Sequence, residues 1–296
     1  MPIEIIVLLA VLFFFFYIFV LLPKKEKSLT QQTPEPLPPV SETLPEMSRQ
    51  DNPEPEAVPE ISESSPVSIR QSIYLEAQFP ADAIRDAWSQ DTQIAAVGVT
   101  PSDWLCIFSE ACYGDQRWFR SGSFPDSDVS QGWNDGFQLT DLAYSKGEWL
   151  VVMSKTGRNR LQRWRLTDDF PSTDIQENWE DGYRIDAIVF ANEQWLTVYS
   201  QTDTDCLQRW FLCDQFPADE INRGWSNGYH VTHLTFGNGQ WLLIMSNENI
   251  SCLQRWHLEN SFPHDVIRKG WEEKYQLTQA AYGNGQWGVI LTRPQE

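Results

Sequence analysis

Apolar and polar positions recur with a long, fixed period over residues 71–296. The dipeptide Phe-Pro begins at Phe79, Phe124, Phe170, Phe216 and Phe262, at spacings of 45, 46, 46 and 46 residues. One Trp stands nine residues after each Phe, a second stands twenty-five residues after it, and a third occupies four Gln-Arg-Trp triplets; together they account for all 14 tryptophans. A period of this length indicates a repeat architecture with five units.

Each unit begins with a pattern that predicts a short helix. Three residues after the Phe stands a side chain that can cap a helix N-terminus, namely Asp82, Ser127, Thr173, Asp219 or Asp265. An apolar residue two positions later and the first Trp are four residues apart, so they share one helical face. Gly136, Gly182 and Gly228 are placed to end the helix in a left-handed conformation. Asp91 and Lys274 replace this glycine, so we expect the outer units to end their helices differently.

The rest of each unit predicts three strands. Two β-rich runs flank a turn such as Gly237-Asn238-Gly239, a pattern typical of a hairpin. The third strand is the Leu-Gln-Arg-Trp-x-Leu run at Leu161, Leu207 and Leu253. In that strand the Trp and the following Leu share one face, while the Arg points to the other.

The two ends of the array carry complementary pieces. The fifth unit stops after Trp287–Leu291 without its third strand, while 73–78 precedes the first Phe-Pro at the register of that strand. Pairing an N-terminal strand into the last unit closes a ring and removes exposed sheet edges. We therefore predict a mainly β fold in which five units, each a short helix plus three antiparallel strands, close into a five-bladed, propeller-like ring. An open array of the same units is the alternative.

The N-terminal region carries a different pattern. Ile5–Leu22 is a run of 18 residues without a charge. At about 1.5 Å per residue, a helix of this length nearly matches the roughly 30 Å hydrocarbon core of a bilayer. We predict a single transmembrane helix over 3–22. A cleaved signal peptide is the alternative, but nothing basic precedes the run and Pro23-Lys24-Lys25 replaces a small-residue cleavage site.

The residues after the apolar run predict topology and a tether. Lys24, Lys25 and Lys27 follow the run directly, so the positive-inside rule places the C-terminal domain in the cytoplasm. Residues 23–70 contain 10 of the 18 prolines and no aromatic residue. This composition cannot bury enough apolar surface to offset the entropy of ordering, so we predict a disordered linker that leads to a repeat domain at 71–296.

Composition and charge narrow the functional classes. The chain has 22 Lys and Arg against 41 Asp and Glu, a net charge of −19. Phosphate binding needs a dense basic surface, so nucleic acid is excluded as a partner. An apolar content of 41%, with 13% aromatic residues, is enough for a substantial core.

The repeat motif resembles a known one. The pattern F-P-x-x-x-I-x-x-x-W, then W-x-x-G-Y-x-[IV]-T, then W-[LV]-[LV]-[IV]-M-S, resembles a Trp-rich repeat domain at the C-terminus of plant casein-kinase-I-like kinases. Similar repeats occur in bacterial multidomain proteins beside caspase-like or kinase domains. The resemblance covers residues 71–296 and implies an accessory binding module. With the anchor, it suggests a bacterial plasma or thylakoid membrane. No kinase or caspase motif is present, so neither activity is implied.

Candidate chemistry is sparse. His230 and His233 are three apart on a predicted strand, so they point to opposite faces and do not suggest a metal site. The five cysteines are Cys106, Cys112, Cys206, Cys213 and Cys252, with no C-x-x-C pair, and free thiols suit a cytoplasmic location. No phosphate loop or nucleophile elbow occurs. We predict no catalytic residue, no metal and no cofactor.

The repeated arginines are the candidate binding residues. Arg117, Arg163, Arg209 and Arg255 occupy one position of the repeat. Four cations in an acidic protein could form a ring for an anionic ligand. A structural role is the alternative, because an Arg beside aromatic residues can stack on a ring while its guanidinium donates to carbonyl groups.

These patterns together predict a membrane-anchored, non-enzymatic platform that recruits or stabilises a partner protein. One alternative is a lectin-like ring with a Trp-lined sugar site in each unit. A further alternative is a glycosidase, because such enzymes place two carboxylates around a funnel. The most regular acids occupy the predicted helix caps, and the sequence does not single out a catalytic pair.

Overall fold

The computed structural model describes residues 70–110, 113–158, 160–202, 206–248 and 251–295. Contacts divide the chain into Met1–Ser62 and Glu63–Glu296, and every described residue belongs to the second part. The predicted transmembrane helix at 3–22 and the predicted linker up to residue 69 lie outside the described residues. Within the described ranges, no helix is long and apolar enough to cross a membrane.

The described chain is mainly β and consists of five units, each with one short helix and three strands. The first two units are β1 (Gln71–Glu76), α1 (Ala81–Ser89), β2 (Thr92–Val99) and β3 (Trp104–Glu110), then β4 (Gln116–Ser121), α2 (Asp126–Asn134), β5 (Gln138–Ser145) and β6 (Glu148–Ser154). The third and fourth are β7 (Gln162–Thr167), α3 (Ser172–Glu180), β8 (Tyr183–Ala191) and β9 (Gln194–Gln201), then β10 (Gln208–Cys213), α4 (Ala218–Ser226), β11 (His230–Gly237) and β12 (Gln240–Ser246). The fifth is β13 (Cys252–Glu259), α5 (His264–Glu272), β14 (Gln276–Gly283) and β15 (Gln286–Pro294).

Each unit folds its three strands into one antiparallel sheet. In the first unit the order is β1-β3-β2, so the second strand of the hairpin lies in the middle. The other four sheets have the same order: β4-β6-β5, β7-β9-β8, β10-β12-β11 and β13-β15-β14. The middle strands are apolar along almost their whole length, which agrees with their burial on both faces.

The strand that contains Gln-Arg-Trp is the first strand of its unit in chain order, not the last. β1 pairs with β3, with Ile73 opposite Ile107, and the fifth unit already contains its own strand, β13. The predicted pairing of 73–78 into the last unit is therefore wrong. A 46-residue period is the same wherever counting begins, so periodicity could not tell whether this strand belongs to the helix before it or after it.

The five sheets pack face to face through five apolar clusters. Each cluster combines buried residues of two consecutive units. One of them joins the ends of the array, since Leu105 and Ile107 of the first unit pack with Leu277, Trp287 and Val289 of the fifth. The first and fifth units thus make the same kind of contact as neighbours in sequence.

The Phe of each of the first four Phe-Pro dipeptides lies between two tryptophans. Phe124 contacts Trp149 of its own unit edge-on, at 5.4 Å between centroids, and Trp164 of the next unit at 4.7 Å. Phe79, Phe170 and Phe216 each contact the corresponding two tryptophans. Tilted and edge-on aromatic pairs are favourable contacts that bury large areas, which explains why Phe and Trp recur in register.

A buried or half-buried glutamine links each unit to the one before it. Gln162 Oε1 accepts hydrogen bonds from Trp133 Nε1 at 2.9 Å and Leu139 N at 2.7 Å, while its Nε2 donates to Leu139 O at 3.0 Å. Gln208 and Gln254 make the same three bonds. We call this contact the glutamine clamp. It satisfies an indole and one backbone N–H and C=O on the neighbouring unit.

The clamp also operates between the first and fifth units. Gln71 Oε1 accepts from Trp271 Nε1 at 2.9 Å and from Leu277 N at 2.8 Å. The clamp is partial between the first two units. There, Gln116 bonds the backbone of Ile94, but the Trp88 indole N–H has no partner among the described residues.

The helices begin two residues earlier than the predicted side-chain caps would place them. In α2 the N-cap is Pro125, its carbonyl accepts from Val129 N at 2.9 Å, and no side chain caps the helix. The other four helices also have Pro at the N-cap. The predicted cap at Ser127 and its equivalents is therefore wrong. The proline, whose φ is already helical, starts the helix, and the acids lie in its first turn, where the helix dipole favours them.

The C-terminal ends of the helices follow the left-handed pattern in all five units. Gly136, Gly182 and Gly228 have φ of 81°, 81° and 75°. Asp91 and Lys274 have φ of 57° and 65°. The outer units thus end their helices as the central ones do, contrary to prediction, with a strained side chain in place of glycine.

Candidate functional site

The first strand of each hairpin faces its equivalents in the other units. β2, β5, β8, β11 and β14 each contact the next in this order, and β14 contacts β2. Every one of them is an edge strand of its sheet. Side chains at these edges therefore come together from all five units.

Each of these inner strands carries a bulge at the same point. The register shifts directly after Ile94, Leu139, Ile185, Val231 and Leu277. The two residues that follow differ from unit to unit: Ala95-Ala96, Thr140-Asp141, Asp186-Ala187, Thr232-His233 and Thr278-Gln279. Bulges re-aim side chains and are frequent beside functional sites.

A cavity of 510 Å³ lies among these bulges, and we call it the inner pocket. Its charged or titratable lining side chains are Asp141, Asp186, His233, Glu248, Arg158 and Arg160, with Tyr113 beside them. Small-molecule sites usually measure about 300–1,000 Å³. A smaller cavity of 70 Å³ adjoins the inner pocket through Asp141 and His233 and is lined mainly by aliphatic and aromatic residues.

Asp141 is held by two backbone amides. Its Oδ2 accepts from Val97 N of the first unit at 2.7 Å, and its Oδ1 accepts from Leu142 N at 2.8 Å. Burial raises the pKa of Asp141 to about 7, although both hydrogen bonds favour the carboxylate. Near neutral pH this side chain is therefore present in both protonation states.

Asp186 lies on the third unit, at the position where three other units have Thr. Its Oδ2 accepts from the Ser200 hydroxyl and from Gln162 Nε2, the latter at 3.0 Å. Burial raises the pKa of Asp186 above the usual value for an aspartate, while these two donors and Arg160 act in the opposite direction. The clamp residue Gln162 thus also orients a carboxylate of the inner pocket.

His233 reaches across to the neighbouring unit. Its Nε2 lies 2.7 Å from Ile188 O, so the imidazole donates there. Burial lowers the pKa of His233, which keeps the ring neutral. His230, three residues earlier, does not line the inner pocket. Across the described residues, no group of three His, Cys, Asp or Glu side chains is arranged to hold a metal ion.

The predicted binding arginines lie elsewhere. Arg117, Arg163, Arg209 and Arg255 stack on the rings of Phe137, Tyr183, Tyr229 and Tyr275, at 4.1, 3.8, 4.1 and 4.0 Å from the centroids. Three of them also pair with Asp135, Asp181 and Glu273 of the same unit. At the equivalent acidic position the fourth unit has Asn227, and the described residues provide no ion pair for Arg209. Each guanidinium contacts side chains of its own unit, and none of the four arginines lines the inner pocket.

The cysteines lie in environments that suppress reactivity. Cys106, Cys206, Cys213 and Cys252 are free thiols, and Cys112 is outside the described residues. Burial raises the pKa of all four thiols, most strongly that of Cys106. Because the thiolate is the nucleophile, these side chains are poor candidates for covalent chemistry.

Sequence reasoning missed the residues that matter most for this site. Asp141 and Asp186 are each unique to one unit, and only the bulge brings both into one cavity. The sequence does single out Asp186, because the equivalent position in three other units is a threonine, namely Thr140, Thr232 and Thr278. The clamp glutamines of four units also had a signal, because each stands directly before the Arg of a Gln-Arg-Trp triplet.

Two matches to one protein family cover residues 61–206 and 187–296. The family is described as "Domain of unknown function (DUF7477)". The chain belongs to this family. Together the two matches contain all five units and the inner pocket. No curated protein matches the chain. The family's description names no activity, and the resemblance to the plant kinase repeats stays a prediction.

Proposed function

We propose that this chain is a membrane-anchored, non-enzymatic interaction platform that recruits or stabilises a partner protein at its inner pocket. The five sheets would form a closed, five-bladed propeller. Support for closure comes from the glutamine clamp of Gln71 and from the apolar cluster that joins the first and fifth units. In this proposal the first and fifth sheets close the ring by packing against each other, in place of the predicted pairing of 73–78 into the last sheet.

The observation that carries the binding role is the contrast between repeated and diverged positions. Residues that hold units together recur in register, as the clamp glutamines and the Phe-Trp contacts do. The pair of residues after each bulge differs between units, although Thr holds the first position in three of them, and the pairs of the second to fourth units supply Asp141, Asp186 and His233 to one cavity. If these positions only supported the fold, the same residues could occupy them in every unit.

The rim of the inner pocket is suited to a protein partner. Leu161 and Leu207 are 65% and 55% exposed, and each directly precedes a clamp glutamine. Leu207 O accepts from Asn247 N at 3.0 Å, next to Glu248 of the pocket lining. Arg160, next to Leu161, lines the pocket itself. Apolar contact area around polar groups is the usual composition of a protein interface.

The membrane anchor is proposed from the apolar run Ile5–Leu22 and the lysines that follow it. With the domain in the cytoplasm, protease added outside intact cells leaves it uncut. Digestion of the domain under those conditions would reverse the proposed topology and, with it, the cytoplasmic partner.

Co-purification from detergent extracts tests the platform role. The full chain is compared with Asp186→Asn, Leu207→Asp and the control Arg223→Gln, whose side chain lies on α4 and pairs with Glu220. A partner recovered with the wild type and the control, but lost with both other variants, is the expected result. Equal recovery with all four proteins would refute the assignment to the inner pocket.

A glycosidase remains the second candidate, because two carboxylates unique to single units line the same cavity. The pKa of Asp141, about 7, is that of a general acid at neutral pH. Release of sugar from a glycan panel, abolished by Asp141→Asn, would favour the enzyme over the platform. A lectin with one Trp site per unit has weaker support, since the tryptophans engage in contacts between units.

A further inference from the structure

Charges of both signs line the inner pocket, and although Arg160 acts on Asp186 through space, no ion pair joins any two of them among the described residues. Asp186 and Glu248 are acidic, Arg158 and Arg160 are basic, and all four border the same cavity. Ion pairs occur at other places in the described ranges, but none involves any of these four side chains. Charges in a concave, partly buried site are costly unless something pairs with them.

The acidic groups lie on the inner strands and on the rim. Asp186 takes two hydrogen bonds at Oδ2, from Ser200 and Gln162. Asp141, on the neighbouring strand, adds a second carboxyl group with no cationic partner among the described side chains. An ammonium or guanidinium group of a ligand would supply the missing positive charge and the donors.

The basic groups belong to the segment that joins the second and third units. Arg158 is exposed and Arg160 is half-buried, three and one residues before the exposed Leu161 that begins the next strand. They are two residues apart, so their guanidiniums can approach one carboxylate from the same segment. Arg pairs of this kind recognise carboxylates through charge-assisted hydrogen bonds.

We infer that the inner pocket binds an amphoteric ligand with a carboxylate and a basic nitrogen within the length of one residue, that is, a basic amino acid or a basic C-terminal residue of a protein. This assignment rests on the proposed function and specifies the ligand of that site. The carboxylate contacts Arg158 and Arg160, and the basic nitrogen contacts Asp186 and Asp141. The cavity of 510 Å³ accommodates either source.

Other ligand chemistries leave charges of one sign unpaired. A phosphate or dicarboxylate would meet the arginines but would lie against Asp186 and Glu248. A polyamine would meet the carboxylates but would lie against the arginines. A neutral sugar would leave both sets without a counter-charge, at a cost in desolvation.

Calorimetric titration of the full chain in detergent tests this inference. The probes are free arginine and lysine, agmatine, which lacks the carboxylate, and glutarate, which lacks the basic nitrogen. We expect the amino acids to bind and each one-armed probe to bind at least about tenfold more weakly, the loss expected for one charge-assisted contact. Equal binding of agmatine and arginine, or no heat at about 10 mM amino acid, where even a millimolar Kd would register, would overturn the inference.

Substitutions in the inner pocket test which residues bind the carboxylate of the ligand and which bind its basic nitrogen. Asp186→Asn and Arg160→Gln should each weaken binding at least about tenfold, whereas Arg223→Gln, on the outer helix α4, should leave it unchanged. Thermal unfolding of each unliganded variant shows that the fold is retained, and Arg158→Gln is the second variant if Arg160→Gln unfolds. Retained binding in folded variants of both arms would contradict the assignment.

Two peptides distinguish a protein C-terminus from a free amino acid as the source of the ligand. A peptide that ends in lysine with a free carboxylate and the same peptide as its C-terminal amide are titrated beside free lysine. Preference for the free-carboxylate peptide over lysine identifies a protein terminus, and equal affinity identifies a free amino acid. If no amphoteric probe binds but Asp186→Asn still removes the co-purifying partner, the platform role stands and only the ligand class is wrong.

Discussion

Gln71 and Leu277 are 206 residues apart in sequence and share two backbone-directed hydrogen bonds, at 2.8 and 3.2 Å. The same side chain accepts from the Trp271 indole. This contact links the first unit to the fifth in the way that Gln162, Gln208 and Gln254 link neighbours in sequence. Gln71, near the start of the described chain, therefore contributes the side-chain hydrogen bonds that would help to close the proposed ring.

Gln71→Leu should destabilise the domain by about 2 kcal/mol, because it leaves a buried N–H, C=O and indole without partners. Urea unfolding of the wild type, Gln71→Leu, Gln208→Leu and the exposed control Ser72→Ala measures this. We expect the two glutamine variants to lose similar stability and the control to lose none. In an open array Gln71→Leu would behave like the control.

Asp141 should make stability fall as pH rises. Its folded pKa is about 7, against 3.8 without burial, so the folded state holds a proton that the unfolded state releases between these values. The stabilisation is present below about pH 4 and is lost as pH rises through 7, by roughly 4 kcal/mol in total, an upper figure for a group that still borders a cavity.

Asp141→Asn removes this titration. Urea midpoints of the wild type and the variant at several pH values between about 4 and 8 provide the measurement. The difference between them should change steadily in favour of the variant as pH rises, while contributions from Asp186 and His233 remain in both proteins and cancel. A difference that is constant with pH would show that the folded pKa of Asp141 is not raised.

Glu193→Gly should stabilise the third unit. Glu193 has φ of 63° in a hairpin turn where Gly147, Gly239 and Gly285 have φ near 79° in their own units. A side chain in this left-handed region costs about 1 kcal/mol, part of which glycine returns as unfolded-state entropy, so a net gain of about 0.5 kcal/mol is expected. The reverse change, Gly239→Glu, should lose about as much in the same urea titration.

Gly237→Ala should destabilise by about 1–3 kcal/mol through overpacking. A Cβ at Gly237 would lie 2.2 Å from the Cβ of Phe190 on the preceding unit, which cannot move without its backbone. Ser145 is the equivalent position in the second unit and already has a Cβ, so Ser145→Ala is the matched control. Equal melting temperatures for the two variants would mean that the units do not approach as closely as described.

Arg209→Ala separates packing from binding at the predicted arginine site. The guanidinium lies 4.1 Å from the Tyr229 centroid on an exposed face, a contact worth about 0.5–1 kcal/mol. We expect a loss of that size in urea unfolding and no change in co-purifying protein. Unchanged stability together with loss of a partner would assign this arginine to binding.

Sequence periodicity predicted the five units, their short helices and their hairpins, because apolar spacing reports which faces are buried. It could not fix the start of a unit, and so it misassigned β1 to the last sheet. Helix starts were shifted because Pro125 and its equivalents set the backbone before any side chain could cap it. The inner pocket could not be predicted, because no sequence pattern shows that the strands bulge at Thr140 or Asp186.

The glutamine clamp always points from one unit back to its predecessor, and at the junction of the fifth and first units it does so without a peptide link. Hydrogen bonds and apolar packing therefore join the first and fifth units without covalent continuity. A circular permutant that joins Gln295 to Arg70 through a short loop and opens the chain between Lys155 and Leu161 would keep every clamp and every apolar cluster. If the proposed ring is correct, such a permutant should fold, because the contacts between neighbouring units and not the position of the chain ends hold the domain together.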